Sequence, residues 1–532
     1  MGGIFINQAG YRPDSVKLAV MPFEADSISV VDFYDNEIYS AKAVLWGEDK
    51  NSGDTVYCAD FSDFKAVGSY RIKYRDKFSE SFEIGENVYS KALDSVSKAY
   101  YYLRCGCGLT EKYAGKFKHG VCHNKRALLW DNREVSLEVS GGWHDAGDYG
   151  RYVTAGACAL AHILYGYILF PKAFENQNLN IPESGSSLPD ILAECRYELD
   201  WLLKMQAEDG GVYHKATTAH HAPFVMPEDD IAQMYVLPVS SVATADFAAV
   251  CALASRVYRD FDGDYADRLI RAAEKSYEWL ENNPECEVFM NPPGCETGGY
   301  GERFDNDNRF WAAAELYSVT GNEKYHADLE SQLERGFPLA ELGYASIGGL
   351  GALAYVTGGK GKAELSERFR KSFYDEAERL KAIADSCGYG AAMEDRDYCW
   401  GSNMVLLKHG MIFAIMDRLY SEKAYRRYAQ AQADVLFGVN AMGISYVTGI
   451  GGYRCNYPHL RPAYADGIDE CIPGMVSGGP NRTPADSEAK RIIKAGTPPM
   501  KCFADNVGCY SLNEITIYWN SPAVFLLAYL SL

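Results

Sequence analysis

The sequence lacks several features that would assign the protein to other functional classes. Basic residues are few, since 52 Lys and Arg stand against 72 Asp and Glu and the formal net charge is −20. A negative field repels nucleic acid and anionic membrane surfaces, so neither is expected as a partner. The longest apolar run, residues 157–170, contains His162 and is shorter than the roughly 18 residues typical of a bilayer-spanning segment. We therefore expect no transmembrane segment and an uncharged substrate.

The chain also lacks a recognisable secretion signal and a disulfide framework. No basic segment followed by an apolar one stands at its beginning, which reads Met-Gly-Gly-Ile-Phe-Ile. Its 15 cysteines are odd in number and irregularly spaced, which favours reduced thiols. Both features indicate the cytoplasm, and the alternative is a secreted protein from which the signal peptide has been removed.

The length and the first strand-like segments indicate more than one domain. A chain of 532 residues is long for one ordinary core, so two domains, or a large barrel with an added module, are expected. From residue 4 to about residue 85, short runs rich in Val, Ile, Tyr and Phe are separated by turn residues, as at 17–21, 27–33 and 69–74. This spacing is typical of an all-β sandwich.

After about residue 87 the apolar residues recur at helical spacing for the rest of the chain. Ile191, Cys195, Leu199 and Leu202, for example, fall on one face of a helix. Periodicity alone therefore predicts an all-α domain with about twelve helices. They are expected at 89–104, 154–169, from 187 onward, and at 241–257, 264–282, 309–319, 323–335, 348–357, 362–384, 402–419, 422–437 and 521–531.

The most informative stretch is 141–150, Gly-Gly-Trp-His-Asp-Ala-Gly-Asp-Tyr-Gly, which sets Asp145 and Asp148 three residues apart among glycines and aromatics. Asp favours turns and caps, and glycine lets the backbone approach a ligand closely. A polar loop that caps the following helix is the alternative. Trp143 and Tyr149 favour a site for sugar rings, because flat aromatic side chains beside acids suit such a substrate.

This stretch resembles the signature of family 9 glycoside hydrolases, an inverting cellulase family. Residues 456–462, Asn-Tyr-Pro-His-Leu-Arg-Pro, resemble the family's Asn-Pro-His-His-Arg segment, although Leu460 replaces its second His and Tyr457 interrupts its Asn-Pro pair. Residues 513–522 resemble its C-terminal Asn-Glu segment, and residues 6–13 resemble the start of the immunoglobulin-like module of one branch. The resemblance implies a multidomain chain with an all-β immunoglobulin-like sandwich at 1–86 and an all-α (α/α)6 barrel at 87–532.

The resemblance also implies a function and three catalytic residues. Inverting hydrolysis needs an acid at the glycosidic oxygen and a base that activates water, roughly 6.5 to 9.5 Å apart. Glu514 is the implied acid, Asp148 the base and Asp145 a second carboxylate that orients the water. The apolar neighbours of Glu514 are expected to raise its pKa and keep it protonated. We expect an endo-β-1,4-glucanase, with an exo-acting cellodextrinase or β-glucosidase on imported oligosaccharides, or a non-catalytic sugar-binding protein, as alternatives.

Five further residues are candidates for substrate binding. His459 and Arg461 lie one residue apart in a loop and can bind sugar hydroxyls or a nearby carboxylate. Trp311, Trp400 and Trp519 correspond to positions where the family keeps sugar-stacking aromatics. A single tryptophan is more often part of a core, because it buries a large area.

Two metal sites are predicted. The first has sulfur and nitrogen ligands suited to a tetrahedral zinc ion, supplied by Cys105 or Cys107 together with Cys122, His123 and His144. The resemblance supports it, because this branch of the family has a structural zinc near the same place. Four unrelated reduced residues are the alternative. A second group, of oxygen ligands, suggests a calcium site, and a solvated acidic loop is the alternative. This group is Glu302, Asp305, Asp307 and Asn308. We expect no organic cofactor, and we expect the protein to be a monomer.

Overall fold

The computed structural model describes residues 3–286, 288–420 and 423–532. The chain divides into two compact units, of which the first comprises Met1–Ala99, Phe170–Asn176 and Glu376–Leu532 and the second Tyr100–Leu169 and Gln177–Asp375. The N-terminal strands thus cluster with the last third of the chain. The domain boundary predicted at 86/87 falls between the last strand of the N-terminal sheet, which ends at Ile84, and the first helix, which begins at Val88.

The N-terminal segment forms a seven-stranded antiparallel sheet in the order β1-β4-β3-β2-β5-β6, with β7 paired to β5. Residues alternate between the two faces of a strand, and Ile28 and Val30 of β2 both face the core with Ile72 and Phe82. The β-rich N-terminal domain predicted from the sequence is confirmed. Its strands are β1 (Leu18–Met21), β2 (Ser27–Val31), β3 (Glu37–Asp49), β4 (Asp54–Asp60), β5 (Gly68–Tyr74), β6 (Lys77–Phe78) and β7 (Phe82–Ile84).

Helices dominate the remainder, and twelve of the sixteen described α-helices have ten residues or more. Each of these twelve overlaps one of the predicted helical segments. The helices are α1 (Val88–Tyr102), α2 (Glu111–Ala114), α3 (Val153–Leu169), α4 (Asp190–Lys204), α5 (Ser241–Tyr258), α6 (Gly263–Asn282), α7 (Asn306–Thr320), α8 (Glu323–Leu333), α9 (Gly348–Thr357), α10 (Ala363–Asp385), α11 (Ser402–Tyr420), α12 (Arg426–Leu436), α13 (Arg461–Ala465), α14 (Ser487–Ile492), α15 (Tyr510–Asn513) and α16 (Ile517–Leu530). None of the described helices is long and apolar enough to cross a membrane.

The long helices of the second unit alternate between two kinds of surface. Helices α3, α5, α7 and α9 are buried almost all round, whereas α4, α6 and α8 each leave part of their surface exposed. A helix without a polar face must be covered on every side by other elements. Side-chain caps fix where several helices begin, since Ser240 accepts a hydrogen bond from Ala243 N before α5 and Asp262 from Tyr265 N before α6.

Side chains of the N-terminal segment bind the helical part of the first unit. Asn7 Nδ2 donates to Asp434 Oδ1 over 2.7 Å, and Gln8 Nε2 donates to the carbonyl of Gly443 over 3.0 Å. Lys501 Nζ lies 2.6 Å from Asp54 Oδ1. These buried and partly buried contacts are consistent with a bracing role for the β-sheet domain.

A second, five-stranded sheet lies within the helical region, in the order β10-β11-β12-β8-β9, and only β12 and β8 run parallel. The prediction of a purely helical pattern after residue 87 is wrong here, because strands of two to four residues are too short to show a period of two. Pairing of β10 with β11 sets the loop 141–150 beside the segment that follows residue 218. The strands are β8 (Ala127–Leu129), β9 (Ser136–Leu137), β10 (Arg151–Tyr152), β11 (Lys215–Thr218) and β12 (Met234–Val236).

Candidate active site

Contacts with helix α4 hold the loop 141–150 in place. Gly142 has a φ of +76°, and a Cβ at this position would lie 2.7 Å from the Trp201 ring, so only glycine fits. The Trp143 amide donates to Glu198 Oε2 over 2.6 Å, and its indole Nε1 donates to Glu194 Oε1 over 2.9 Å. The glycine pair and the tryptophan of the motif thus hold the backbone that carries the two aspartates.

Asp145 is held in a buried environment. Its side chain accepts a 2.6 Å hydrogen bond from the Tyr300 hydroxyl at Oδ2, while the buried Oδ1 meets no donor in the described part of the chain. Burial raises the pKa of Asp145 well above its usual range, and the nearby charge of Asp148 adds to this effect. Asp145 therefore offers one unengaged oxygen beside a second carboxylate.

Asp148 lies in a different environment from Asp145. Its Oδ2 is 2.7 Å from Nδ1 of His221, which belongs to the loop that follows β11. The hydroxyl of Tyr149 donates over 2.5 Å to the carbonyl of Val225 and so ties the same loop to the motif. The pair thus combines a buried carboxyl group whose pKa is raised with one that has a histidine nitrogen at hydrogen-bonding distance.

Next to this loop, four predicted metal ligands converge. One ligand atom from each of Cys105, Cys122, His123 and His144 lies within 4.8 Å of the other three, and all four residues are buried. Cys122 Sγ is 3.8 Å from His144 Nε2. Of the two alternatives for the first ligand, the structure selects Cys105. The predicted convergence is thereby confirmed.

Backbone pairing joins this Cys/His cluster to the loop 141–150. The Cys105 amide donates to the carbonyl of Gly142, and the His144 amide donates to the carbonyl of Leu103, each over 2.7 Å. His123 Nε2 lies 3.1 Å from Asp230 Oδ2, while its buried Nδ1 meets no partner within the described residues. The cluster therefore fixes the residue that directly precedes Asp145.

Glu514 lies in the first unit, at the C-terminal end of α15. Its segment pairs with His459 in a parallel bridge, and its carbonyl accepts a 2.8 Å hydrogen bond from the Gly478 amide. The side chain of Asn513 donates over 2.7 Å to the carbonyl of Tyr457. Two of the three resembling motifs, the His/Arg segment and the Asn-Glu segment, are therefore neighbours. Glu514 itself is half-buried between the buried Leu512 and Ile515.

Aromatic residues lie near Glu514 within the first unit. Trp400 is 44% exposed and its ring lies 5.3 Å from Tyr510, which in turn lies 5.7 Å from the His459 ring. Trp519 is buried beneath Gly401, where a Cβ would lie 2.8 Å from the indole. Exposure leaves Trp400 able to stack on a sugar, whereas Trp519 presents little surface.

Two further predicted residues have different outcomes. The prediction that Trp311 stacks on a sugar is wrong, because the side chain is fully buried in α7 and its Nε1 donates to Glu315 over 3.1 Å. Its neighbours in the helix are equally buried, so the residue is part of the core. Arg461 is buried at the first position of α13, where it follows the segment that pairs with Glu514.

Three of the four residues predicted to bind calcium have partners outside the predicted set. Asp305 pairs with Arg309 at 2.9 Å, and Asp307 Oδ2 accepts a hydrogen bond from the Ile347 amide. Asn308 Nδ2 instead donates to Asp246 Oδ1 over 3.0 Å. Among the described residues, the three acids of the predicted set do not converge as the Cys/His cluster does.

A different set of buried oxygens forms around Glu302. Asp246 Oδ2, Glu302 Oε1 and Asn308 Oδ1 are buried and meet no donor within the described ranges. Burial, with the neighbouring carboxyl groups of Asp246 and Asp307, raises the pKa of Glu302 to about 10. Asp246 was not predicted from the sequence, because it lies in the middle of α5 and far from the acidic loop along the chain.

Three residues near the predicted catalytic and binding residues of the two units were missed from the sequence. Tyr300 follows a glycine pair, which is a loop signal, but its contact with Asp145 spans 155 positions. His221 belongs to a His-His pair in a polar segment, which is visible in the sequence, but nothing in the sequence indicates that it contacts Asp148. Tyr510 is one of 39 tyrosines and had no distinguishing feature.

Comparison with known proteins identifies relatives of the whole chain. The family model described as Glycosyl hydrolase family 9 matches residues 89–527, and the one described as Cellulase N-terminal ig-like domain matches residues 2–79. A cellodextrinase of Butyrivibrio fibrisolvens is 43% identical over 99% of both chains. Endoglucanase D of Acetivibrio thermocellus is 33% identical over 99% of this chain and 83% of its own length.

A solved structure extends the comparison to the fold. A single-mutant thermostable endoglucanase of Alicyclobacillus acidocaldarius superposes with a TM-score of 0.94 over 99% of both chains, at 34% identity. The predicted fold class, an immunoglobulin-like β-sandwich followed by an (α/α)6 barrel, is confirmed by these matches.

Proposed function

This chain belongs to glycosyl hydrolase family 9, and from that premise we propose that it hydrolyses β-1,4-glucosidic bonds of cello-oligosaccharides with inversion of configuration. The relative named cellodextrinase supports this substrate, because it is 43% identical and matches the chain from end to end. The charge of −20 is compatible with a neutral sugar chain.

In this proposal Glu514 donates a proton to the glycosidic oxygen, and Asp148 removes a proton from the attacking water. Asp145 orients that water through Oδ1, while Tyr300 holds Oδ2. The observation that carries the proposal is the unlike pair of carboxyl groups, in which buried Asp145 retains an unengaged oxygen and Asp148 has a nitrogen donor. Two carboxyl groups with unlike environments can take unlike roles in one reaction.

The residue assignment is tested with Glu514→Gln and Asp148→Asn on an unactivated cello-oligosaccharide. Loss of general acid or base help costs about 10²- to 10⁴-fold in rate, so each variant should fall to a few percent of wild-type activity or less. A variant that keeps more than this contradicts the role of the substituted residue.

A second candidate is endo action on longer β-1,4-glucans, which the matches to proteins named endoglucanase favour. The two are separated by the time course of products from cellopentaose and by the viscosity of carboxymethylcellulose. Steady release of one sugar unit with little loss of viscosity supports a cellodextrinase. Mixed internal products with a rapid fall in viscosity support an endoglucanase.

We further propose that Cys105, Cys122, His123 and His144 hold a structural zinc ion. Sulfur and nitrogen ligands of one tetrahedral zinc lie about 3.6 Å apart, from bond lengths of roughly 2.3 and 2.0 Å, and the Cys122–His144 separation is close to this value. The buried Nδ1 of His123 faces no other partner in the described chain, and its Nε2 is oriented by Asp230, as is usual for a metal-bound histidine. Such an ion would stabilise the loop that presents Asp145 and would take no part in the reaction.

We propose that calcium binds to Asp246, Glu302 and Asn308 and not to the whole set of four residues predicted from the sequence. The buried oxygens of these three side chains form the hard donor set that this ion prefers. Calcium should raise the melting temperature of the wild-type protein and leave that of Glu302→Gln unchanged. An equal response of both proteins contradicts the site.

We also propose that the protein acts as a monomer in the cytoplasm. The free state of all 15 cysteines supports a reducing compartment, where disulfides rarely persist. Cell fractionation and light scattering test these two points, and activity found mainly in the culture medium, or a dimer mass, would contradict them.

A further inference from the structure

We propose that His221 is a positioning residue that holds the carboxylate of Asp148 in the orientation needed to activate water. The inference rests on the proposed role of Asp148 as the base. It concerns a loop residue that none of the three resembling motifs contains.

The contact is short and engages one defined oxygen. His221 Nδ1 lies 2.7 Å from Asp148 Oδ2, within the range of a charge-assisted hydrogen bond. Because a carboxylate accepts at this distance, the hydrogen must reside on Nδ1, whether the ring is neutral or charged. One donor on one carboxylate oxygen restricts rotation about the Cβ–Cγ bond. The orientation of the carboxylate, and with it the direction of the lone pairs that receive the proton, therefore depends on this contact.

The His221 loop is braced on both sides of the ring. Before it, Thr218 Oγ1 donates over 2.6 Å to the carbonyl of His220, at the end of β11. After it, the Tyr149 hydroxyl donates over 2.5 Å to the carbonyl of Val225. The second bond comes from the residue next to Asp148, so the histidine and the carboxylate are carried on segments joined to each other.

The alternative interpretation of the His221–Asp148 contact is an ordinary surface ion pair. His220, the residue before His221, forms such a pair and serves as the comparison. His220 Nδ1 lies 3.0 Å from Glu296, and these side chains are 65% and 72% exposed. A pair of that kind contributes little, because water screens it. In the His221 pair the histidine is 42% exposed but the aspartate only 8%, so the hydrogen bond acts on a carboxylate that is largely shielded from bulk solvent.

Other ionisable groups near Asp148 determine how much its ionisation depends on the hydrogen bond from His221. The carboxyl group of Asp145, the hydroxyl of Tyr152 and the ammonium group of Lys215 all lie within the electrostatic reach of Asp148. Lys215 donates to the Thr297 side chain and the carbonyl of Gly298, so its hydrogen bonds are directed elsewhere. Loss of the His221 donor is therefore expected to make Asp148 harder to ionise.

The test compares His221→Ala, His221→Asn and the control His220→Ala in the full-length protein. Asn can place its amide nitrogen near the position of Nδ1, so it should restore part of the function that Ala removes. We expect His221→Ala to lower kcat about 10-fold with KM changed less than about twofold, as for loss of one charge-assisted hydrogen bond. Its low-pH limb of kcat/KM should move to higher pH, and His220→Ala should behave like the wild type.

A second comparison shows whether the effect passes through Asp148. In an Asp148→Ala background, assayed on an activated aryl cellobioside, His221→Ala should cause no further loss. Equal losses in both backgrounds, or wild-type kcat and pH dependence in His221→Ala, overturn the inference. The single variant Asp148→Ala distinguishes failure of this inference from failure of the proposed function, since full activity of that variant would contradict the role of Asp148 as the base. Melting temperatures within about 2 °C of the wild type show that the variants are folded.

Discussion

The hydrogen bond from Tyr300 to Asp145 leads to the most specific prediction. Tyr300→Phe removes only the hydroxyl, and with it the 2.6 Å bond to Oδ2 of a fully buried carboxyl group. Removal of a donor that leaves a buried acceptor unsatisfied costs about 1 to 3 kcal/mol, and this loss in the transition state corresponds to a roughly 5- to 150-fold lower kcat. The other oxygen of Asp145 has no alternative donor among the described residues that could compensate.

The assay is steady-state hydrolysis of cellotetraose with product quantification, run beside Tyr277→Phe. The hydroxyl of Tyr277 donates over 3.0 Å to Asp328 in the same unit, so the control also removes one tyrosine–carboxylate bond, outside the candidate site. Tyr277→Phe should change stability only. A Tyr300→Phe protein with kcat within twofold of the wild type, while folded, would refute the proposed positioning of Asp145.

Three further predictions concern metal binding, pH and substrate binding. Cys122→Ser should contain less zinc than the roughly one equivalent expected by elemental analysis and should melt at a lower temperature, whereas unchanged metal content and stability would refute the zinc proposal. Burial raises the pKa of Glu315 to about 7 from about 4.3 in an unfolded chain, so the folded protein binds more protons and loses stability as pH rises through this range. Glu315→Gln should weaken that decline in urea titrations at pH 4.5 and 7.5, and equal slopes would contradict it. Trp400→Ala should raise KM for cellopentaose several-fold with little change in kcat, and Trp46→Ala, of similar exposure, should leave both unchanged.

The long helices were predictable because their signal is local. Helix α9 was predicted at 348–357 and begins and ends at those residues, and α5 and α6 differ from their predicted bounds by one residue at each end or less. Apolar periodicity over ten or more residues reflects burial of a face, and burial is what stabilises a helix in a folded protein. The short strands β8 to β12 carry no such signal, since their pairing partners lie up to about a hundred residues away.

Within the candidate site, sequence reasoning found ligands and acids but not their supporting contacts. The Cys/His cluster could be predicted because the family resemblance indicated a structural zinc near these residues, whereas the irregular spacing of the 15 cysteines alone gave little guidance. Asp246, Tyr300 and His221 could not, because their roles arise from contacts between elements distant in sequence. Trp311 illustrates the opposite error, since the resemblance indicated a sugar platform where the fold uses the ring as core.

The central proposal, inverting hydrolysis of a β-1,4-glucan with Asp148 as base, is tested most directly by the anomeric form of the first product. Proton NMR of cellopentaose during the first minutes of hydrolysis distinguishes α from β reducing ends before they interconvert. Direct attack of water from the opposite face predicts that the new reducing end appears as the α anomer and only later equilibrates. Initial release of the β anomer would require a covalent intermediate and would contradict the proposed mechanism.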